Sequence, residues 1–430
     1  MKILQLIVVG LLLTAPLGVA VAASGGESVY STTPGPAGAD APAGSVESGP
    51  TVGQTADGDA DRPLTVLAIP GDDVERSDLR RQHADLGPAS TLDTGETTDA
   101  VATRGLEADL ADADTDAERE ARIEEELDRI ETRTTTLANQ ERRAVREFTA
   151  DERDPQELLA TLAEIDRAAA TLEARTDRLA DAAGSDDSAA SSDRLAAVRY
   201  DLHTMQGPVR DHAADVLAGE SSGSRVFVET GDDSVSLAAI DGDQYVRETT
   251  RADRRSEDQP ELSDETVEEL VVGEYPQLWA ERTSFRHGPG NRLSVQLSNG
   301  NFDAFVDGGS ESIVRDSQRV PLGLVGPSER TVKEQDGIEV TVRRTYIGGP
   351  MQLSVADADT GEPLSASTVT MGQADRENEP LGETNDDGTL WTMTPRQPVT
   401  ITVFGDEDSA AFVDLTPREP ADAIDSGEGA

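Results

Sequence analysis

The chain contains no cysteine, which excludes disulfides, thiolate metal sites, a cysteine nucleophile and a lipid-modified N-terminal cysteine. Lysine is nearly missing: Lys2 and Lys333 are the only ones among 37 basic residues, and the rest are arginine. Aromatic residues make up 3% of the chain and hydrophobic residues 36%, so its cores are expected to be small and aliphatic. No Asn-x-Ser/Thr acceptor occurs, and no apolar run beyond the N-terminus is long enough for a membrane span. A lysine-bearing phosphate loop and a basic nucleic-acid patch are also missing.

What is present in excess is acid. There are 85 Asp and Glu residues, for a net charge of -48. Such a charge destabilises a compact state in dilute buffer. It becomes tolerable in concentrated salt, where the screening length falls to roughly 3 Å at 1 M. The expected source is an extreme halophile. The charge argues against DNA, RNA and anionic lipid as partners.

The N-terminus joins one positive charge at Lys2 to the apolar run Ile3 to Leu13 and closes on Val21-Ala22-Ala23. This is the pattern of a cleaved secretory signal over residues 1–23, with an uncleaved anchor as the alternative. No twin arginine is present, which favours the general secretory route. Residues 24–62 are rich in Gly, Pro, Ala, Ser, Thr and Asp and are expected to be a disordered stalk. Residues 63–109 read as a short strand, Leu64 to Ile69, and an irregular segment.

Residues 110–219 carry helical seams. Ile123, Leu127, Ile130, Thr134, Leu137, Glu141, Ala144 and Phe148 alternate spacings of four and three, imperfect at Thr134 and Glu141. Asp154-Pro155-Gln156-Glu157 is a helix start. Leu158, Leu162, Ile165, Ala169, Leu172, Thr176 and Leu179 repeat the seam. A third helix from about Asp193 carries Leu195, Val198, Leu202, Met205, Val209, His212 and Val216, broken at Gly207-Pro208. The product is an antiparallel coiled-coil hairpin or three-helix bundle, with seams that also permit dimerisation.

From Arg225 the period becomes two. Residues 225–320 form a small α+β domain, with a helix from Ser263 through about Arg282 and strands at Leu293 to Leu297, Phe302 to Val306 and Ile313 to Val320. Residues 321–336 are a linker, 337–416 a β-sandwich and 417–430 a disordered acidic tail. The fold class expected is multidomain α+β.

Three resemblances follow from particular residues. Asp359-Thr360-Gly361-Glu362-Pro363-Leu364, Ala366 to Thr370 and Thr384-Asn385-Asp386-Asp387-Gly388 before Leu390-Trp391 resemble the transthyretin-like sandwich of carboxypeptidase regulatory-like domains, which implies a non-catalytic surface module. Leu293 to Leu297, Phe302 to Gly309 and Ile313 to Asp316 resemble a PepSY-like unit, although Ser310-Glu311-Ser312 departs from the usual Thr-Gly-Glu. Residues 64–416 resemble exported haloarchaeal proteins of unknown function, through Met205-Gln206-Gly207-Pro208-Val209-Arg210-Asp211-His212, Arg225 to Thr230 and Gly388 to Thr392.

No residue is singled out as catalytic, cofactor-binding or metal-ligating, and no cofactor is expected. Gly219-Glu220-Ser221-Ser222-Gly223 spells a hydrolase elbow, but a helix runs into a strand there, the reverse of what that chemistry needs. His83, His203, His212 and His287 include no i, i+4 pair. Asp57, Asp59 and Asp61, and Asp112, Asp114 and Asp116, lack the Gly and Glu of a calcium loop. Arg251, Arg254 and Arg255 read as a local salt-bridge set. The expectation is an exported, salt-adapted, non-enzymatic cell-surface or extracellular protein that docks unknown protein partners. A regulator or inhibitor of an exported protease is the alternative, and an unrecognised extracellular hydrolase the third reading.

Overall fold

The computed structural model describes residues 65–67, 69, 75–76, 80–81, 84–183, 189–223, 225–231, 233–256, 259–325, 329–372, 378–405, 409–417 and 421–422. The expected signal segment and stalk, His83, and Asp57, Asp59 and Asp61 lie outside these residues. Among the described residues the protein is a multidomain α+β chain with a helical layer, one broad antiparallel sheet and a β-sandwich.

The helices are α1 (Leu86–Ala111), α2 (Asp116–Thr149), α3 (Pro155–Ala183), α4 (Ala189–Met205) and α5 (Pro208–Ala218). Their starts are capped as the sequence dictates. Asp154 Oδ1 accepts the Glu157 N–H at 2.9 Å, and Thr115 Oγ1 accepts that of Glu118 at 3.2 Å. Every predicted seam position of α2 and α3 is buried, including Thr134 and Glu141. Thr134 and Thr176 satisfy their hydroxyls on the carbonyls of Ile130 and Leu172, both at 2.8 Å. The seams pack against one another within the chain: Leu127, Ile130, Ile165, Leu172, Leu195 and Leu202 share one core.

Helix α1 departs from expectation, since its span falls almost wholly in the segment read as irregular. Its buried positions, Leu92, Thr103, Leu106 and Leu110, are sparse and set among Thr, Gly and Asp, so its apolar period is faint. Packing supplies what propensity does not: Leu92 nests with Ala160 and Ala163 of α3 and with Ala213, Ala214 and Leu217 of α5. The helical layer therefore gains α1, while α4 and α5 are the expected third helix divided at Gly207-Pro208.

The sheet has nine strands. β2 (Glu75–Arg76) and β3 (Arg80–Arg81) both pair with β4 (Arg225–Gly231). The order then runs through β5 (Ser234–Asp241), β6 (Gln244–Arg251), β10 (Ser312–Pro321), β9 (Gly300–Asp307) and β8 (Arg292–Leu297) to β7 (Arg282–Gly288). Between β6 and β7 lie α6 (Asp264–Glu274) and α7 (Pro276–Ala280). The expected helix to Arg282 stops at Ala280, and Arg282 opens a strand instead. That strand escapes a period-two search because it is an exposed edge and needs no alternating apolar residues.

Side chains alternate across the sheet and divide its partners. Val226, Val228, Val235, Leu237 and Val246 face the helices, where Ala144, Phe148, Leu158, Leu162 and Val209 cover them. Phe227, Ala238, Tyr245 and Val320 face the opposite way and meet Ile347 and Met393 of the sandwich. Val267, Val271, Tyr275 and Trp279 of α6, α7 and the joint between them cover Leu293, Val295, Phe302 and Val306.

The sandwich pairs two four-stranded sheets. One has the order β11 (Glu329–Gln335), β12 (Ile338–Arg344), β13 (Pro350–Asp357), β16 (Thr389–Met393); the other has β15 (Glu379–Glu383), β14 (Thr368–Gly372), β17 (Val399–Phe404), β18 (Ala410–Leu415). β11 falls in the segment expected to be a linker. Its lone aliphatic residue, Val332, is exposed on an edge strand, which hides it from pattern reading. In the expected acidic tail, β19 (Ala421–Asp422) pairs in parallel with β1 (Thr65–Val66).

Candidate functional site

The Met205 to His212 segment carries the densest buried chemistry in the molecule. Helix α4 ends at Met205 and α5 begins at Pro208, so a bare helix C-terminus and a bare N-terminus meet beneath the sheet. Two arginines close the carbonyl end. Arg315 of β10 donates from Nη1 to the Thr204 carbonyl at 2.8 Å and from Nη2 to the Gln206 carbonyl; Arg210 donates from Nη1 to the Met205 carbonyl at 2.9 Å. Glu248 of β6 accepts the Val209 N–H at 3.1 Å at the start of α5, where the helix dipole favours an anion.

Carboxylates then neutralise the guanidiniums. Arg210 donates from Nε to Glu248 at 2.8 Å and from Nη2 to Glu141 of α2 at 2.6 Å, and Arg315 lies 3.7 Å from Glu248. Arg210 is 0% exposed, Glu248 1% and Arg315 1%. Burial disfavours the charged Arg210, but Glu141 and Glu248 outweigh it and raise its pKa above the ordinary value. Burial lowers that of Arg315, against the pull of Glu248. Asp166 of α3 accepts the Gly207 N–H at 2.7 Å. Burial pushes its carboxyl up to about 7, with Glu248 adding to the rise and the Gly207 N–H opposing it.

Gly207 is required by close approach. A Cβ there would sit 1.9 Å from Glu248 Oε2 and 2.2 Å from Arg315 Nη2. A second buried set occupies the other face: Asp316 Oδ2 accepts the Tyr275 hydroxyl at 2.9 Å and the Leu67 N–H at 3.3 Å. Burial raises the Asp316 pKa, against nearby Arg247. Tyr245 and Tyr346 join their hydroxyls at 3.0 Å, coupling sheet to sandwich. Arg225 with Glu379 at 2.9 Å and Arg396 with Glu229 at 3.4 Å reinforce that joint. These groups tie the layers together; Glu141, Thr204 and Met205 also line a hollow of about 330 Å³ between the helices and the sheet.

The residues weighed from sequence are scattered. Gly219 caps α5 in the left-handed conformation, φ 77°, and the Ser221 N–H bonds the Asp215 carbonyl at 3.2 Å, so that segment is a helix terminus running into β4. His212 is buried with Nδ1 3.0 Å from Asp241; His203 lies 3.3 Å from Glu173, and His287 3.4 Å from Asp264. Burial lowers the pKa of His203, against the pull of Glu173. Asp112 caps α1, Asp116 opens α2, and the Asp114 N–H donates to Glu118, so this acidic run is a helix-hairpin loop. Arg251, Arg254 and Arg255 pair with Asp253, Glu274 and Asp201 at 2.8, 2.9 and 2.5 Å, the local salt-bridge set expected. Among the described residues no group of three or more His, Asp or Glu is placed to hold a metal ion. No described helix is long and apolar enough to cross a membrane.

Accessible hollows among the described residues include the one beside Glu141 and Thr204 and two more. A crevice of about 720 Å³ runs between α1, α2 and α3. Its threonines bond backward, Thr94 to Ser90 at 2.7 Å and Thr98 to Thr94 at 2.8 Å, so their hydroxyl protons serve the helix. A groove of about 440 Å³ crosses β7, β8 and β9 and holds Arg286, Arg292, Ser294 and Asp303. Two of its strands, β8 and β9, coincide with the expected Leu293 to Leu297 and Phe302 to Val306, whereas β7, which frames it, carries no period-two signal.

Residues 226–325 match a family of unknown function, DUF7094, and residues 329–412 match an archaeal fibronectin-III type-like domain. The latter covers the sandwich that resembled a carboxypeptidase regulatory-like module. No curated protein and no solved structure matches the chain. Strands β2 and β3 lie within the span of the N-terminal match yet pair with β4 in the next, so the matched regions share one sheet. That N-terminal match spans residues 1–222, more than half of the chain, and the protein belongs to the family it describes, a domain of unknown function, DUF7096.

Proposed function

We propose that this is an exported, salt-adapted, non-enzymatic protein that docks protein partners at the surface of an archaeal cell. One observation carries the reading. Helices and fibronectin-III type-like sandwich are joined to opposite faces of one sheet by buried ion pairs and hydroxyls, chiefly Arg210 with Glu248 and Tyr245 with Tyr346. Such an arrangement joins the layers through buried side chains and leaves outer faces and sheet edges for contact with partners. The signal-like residues 1–23 and the net charge of -48 support export into a saline medium by the general secretory route. The match to a fibronectin-III type-like domain supports an interaction role. The test is cross-linking on intact cells at high salt with the tagged full chain. Recovery of a reproducible partner is expected, and none above background would overturn the reading.

A second reading, regulation of an exported protease, is favoured by the order of elements in the PepSY-like stretch, where α6 and α7 precede four antiparallel strands. Unchanged activity of a secreted halophilic protease at stoichiometric excess of this protein counts against it.

A further inference from the structure

Strand β7 is a free edge of the nine-stranded sheet, paired with β8 on one side only. Residues Arg282 through Arg286 are exposed. Natural edge strands are blunted by proline, bulges, charge or a covering element. Here a bulge disturbs only the start: the register shifts between Arg282 and Ser284, and from Ser284 to Gly288 β7 follows β8 regularly. Its unpaired backbone groups form a template for another strand.

Both faces of that edge are furnished. On one, Phe285, 40% exposed, stands 4.9 Å from the Trp279 ring, and the Arg282 guanidinium lies over that ring at 4.0 Å. On the other, Arg286 opens onto the groove beside Ser294 and Arg292. Arg292 is paired with Asp303 at 2.8 Å. Arg282 and Arg286 form no ion pair among the described residues, although the chain carries 85 acidic residues. Arg282 donates to the Trp279 carbonyl at 2.8 Å and is spent on that ring, which leaves Arg286 as the guanidinium offered to a ligand. In salt that screens the chain's net charge, Arg286 beside an exposed aromatic pair is complementary to a carboxylate next to an apolar residue on an extended chain.

We propose that β7 is the docking edge for an extended acidic segment of a partner protein, which adds as a further strand with its carboxylates toward Arg286 and an apolar side chain on Phe285 and Trp279. A second copy fits less well, because it would bring its own Arg282 and Arg286 to the same edge. The inference rests on the docking role proposed above and assigns it a surface and a chemistry.

The chain has two tryptophans, and Trp391 sits in the contact between sheet and sandwich. Full-length protein carrying Trp391→Phe leaves Trp279 as the sole reporter. Titration at high salt with a short synthetic peptide of alternating glutamate and valine should change Trp279 emission saturably. Arg286→Glu should weaken that binding by about tenfold, the scale of one charge-assisted contact, with circular dichroism unchanged. The same variant should gain binding to a lysine–valine peptide that the parent rejects. No saturable change, or equal binding of both peptides by the parent, overturns the proposal. A dimer in sedimentation that Arg286→Glu dissolves gives the edge to a second copy and also overturns it. If the peptide fails while cross-linking still captures a partner from Arg286→Glu cells, the edge assignment falls and the docking role stands. If cross-linking captures none, the docking role itself falls.

Discussion

Arg210 and Glu248 pair at 2.8 Å with neither side chain reaching solvent, and this contact fastens α5 to β6. A buried pair of this kind gives little net stability against an apolar replacement but is costly to break on one side. Arg210→Met should therefore destabilise by about 3–5 kcal/mol, since Glu141 and Glu248 are left buried with less compensation. Adding Glu141→Leu should recover part of that loss, and a double-mutant cycle from denaturant melts at high salt should show coupling above about 1 kcal/mol. Additive effects would mean that the Glu141 contact carries no energy.

Gly207→Ala should be damaging, because the side-chain ends that it meets are buried in ion pairs and have no solvent to swing into. Its new methyl group would overlap Glu248 Oε2, 1.9 Å away, and displace the ionic junction. A loss of about 2–4 kcal/mol is expected. Gly273→Ala, where nothing lies within 4 Å, is the matched control and should change stability little.

Asp166 makes stability depend on pH. Its folded pKa, about 7, lies above the ordinary 3.8. The folded state therefore holds the proton more tightly. The stabilising contribution is complete below the unfolded pKa and is lost as pH rises through the folded one, between about 4 and 7. Asp166→Asn keeps an acceptor for the Gly207 N–H and should flatten this part of the profile. Unfolding midpoints measured across that range, for parent and variant, check it.

Gly348 governs the joint between sheet and sandwich. Its φ is +74°, and a Cβ there would lie 2.9 Å from the Phe227 ring. Gly348→Ala should cost about 1–3 kcal/mol through strain and overpacking. It should also loosen the sandwich, seen as faster proteolysis around residues 322–329. An unchanged digestion pattern would show that the joint tolerates the methyl.

Salt should control folding as a whole. Below about 0.5 M, where the screening length passes roughly 4 Å, repulsion among 85 carboxylates returns and cooperative melting should be lost. A melt that does not respond to salt would remove the basis for the saline habitat.

The helical seams were readable because burial on a helix repeats locally: each of Ile123, Leu127, Ile130 and Leu137 declares itself by spacing alone. Six sandwich strands, β12, β13, β14, β16, β17 and β18, were readable for the same reason at period two, whereas β15, Glu379-Pro380-Leu381-Gly382-Glu383, carries no such alternation. Helix α1 and strands β7 and β11 were not, because their place depends on neighbours and not on an apolar rhythm of their own. Glu141 looked like a flaw in the α2 seam. It is the partner of Arg210, 69 residues further along the chain.

Sequence by itself determined the charge, the absence of cysteine chemistry and the faces that α2 and α3 bury, since these follow from composition and local period. Tertiary structure decided that the helices and the sandwich share one sheet, that Gly207 must be glycine, and that Arg210, Glu248, Arg315 and Asp166 meet. Ion pairing and steric exclusion act between residues distant in sequence, and no local pattern records them. Arg286 of β7 belongs to the same class: it gains meaning only when the fold leaves that edge without a further strand.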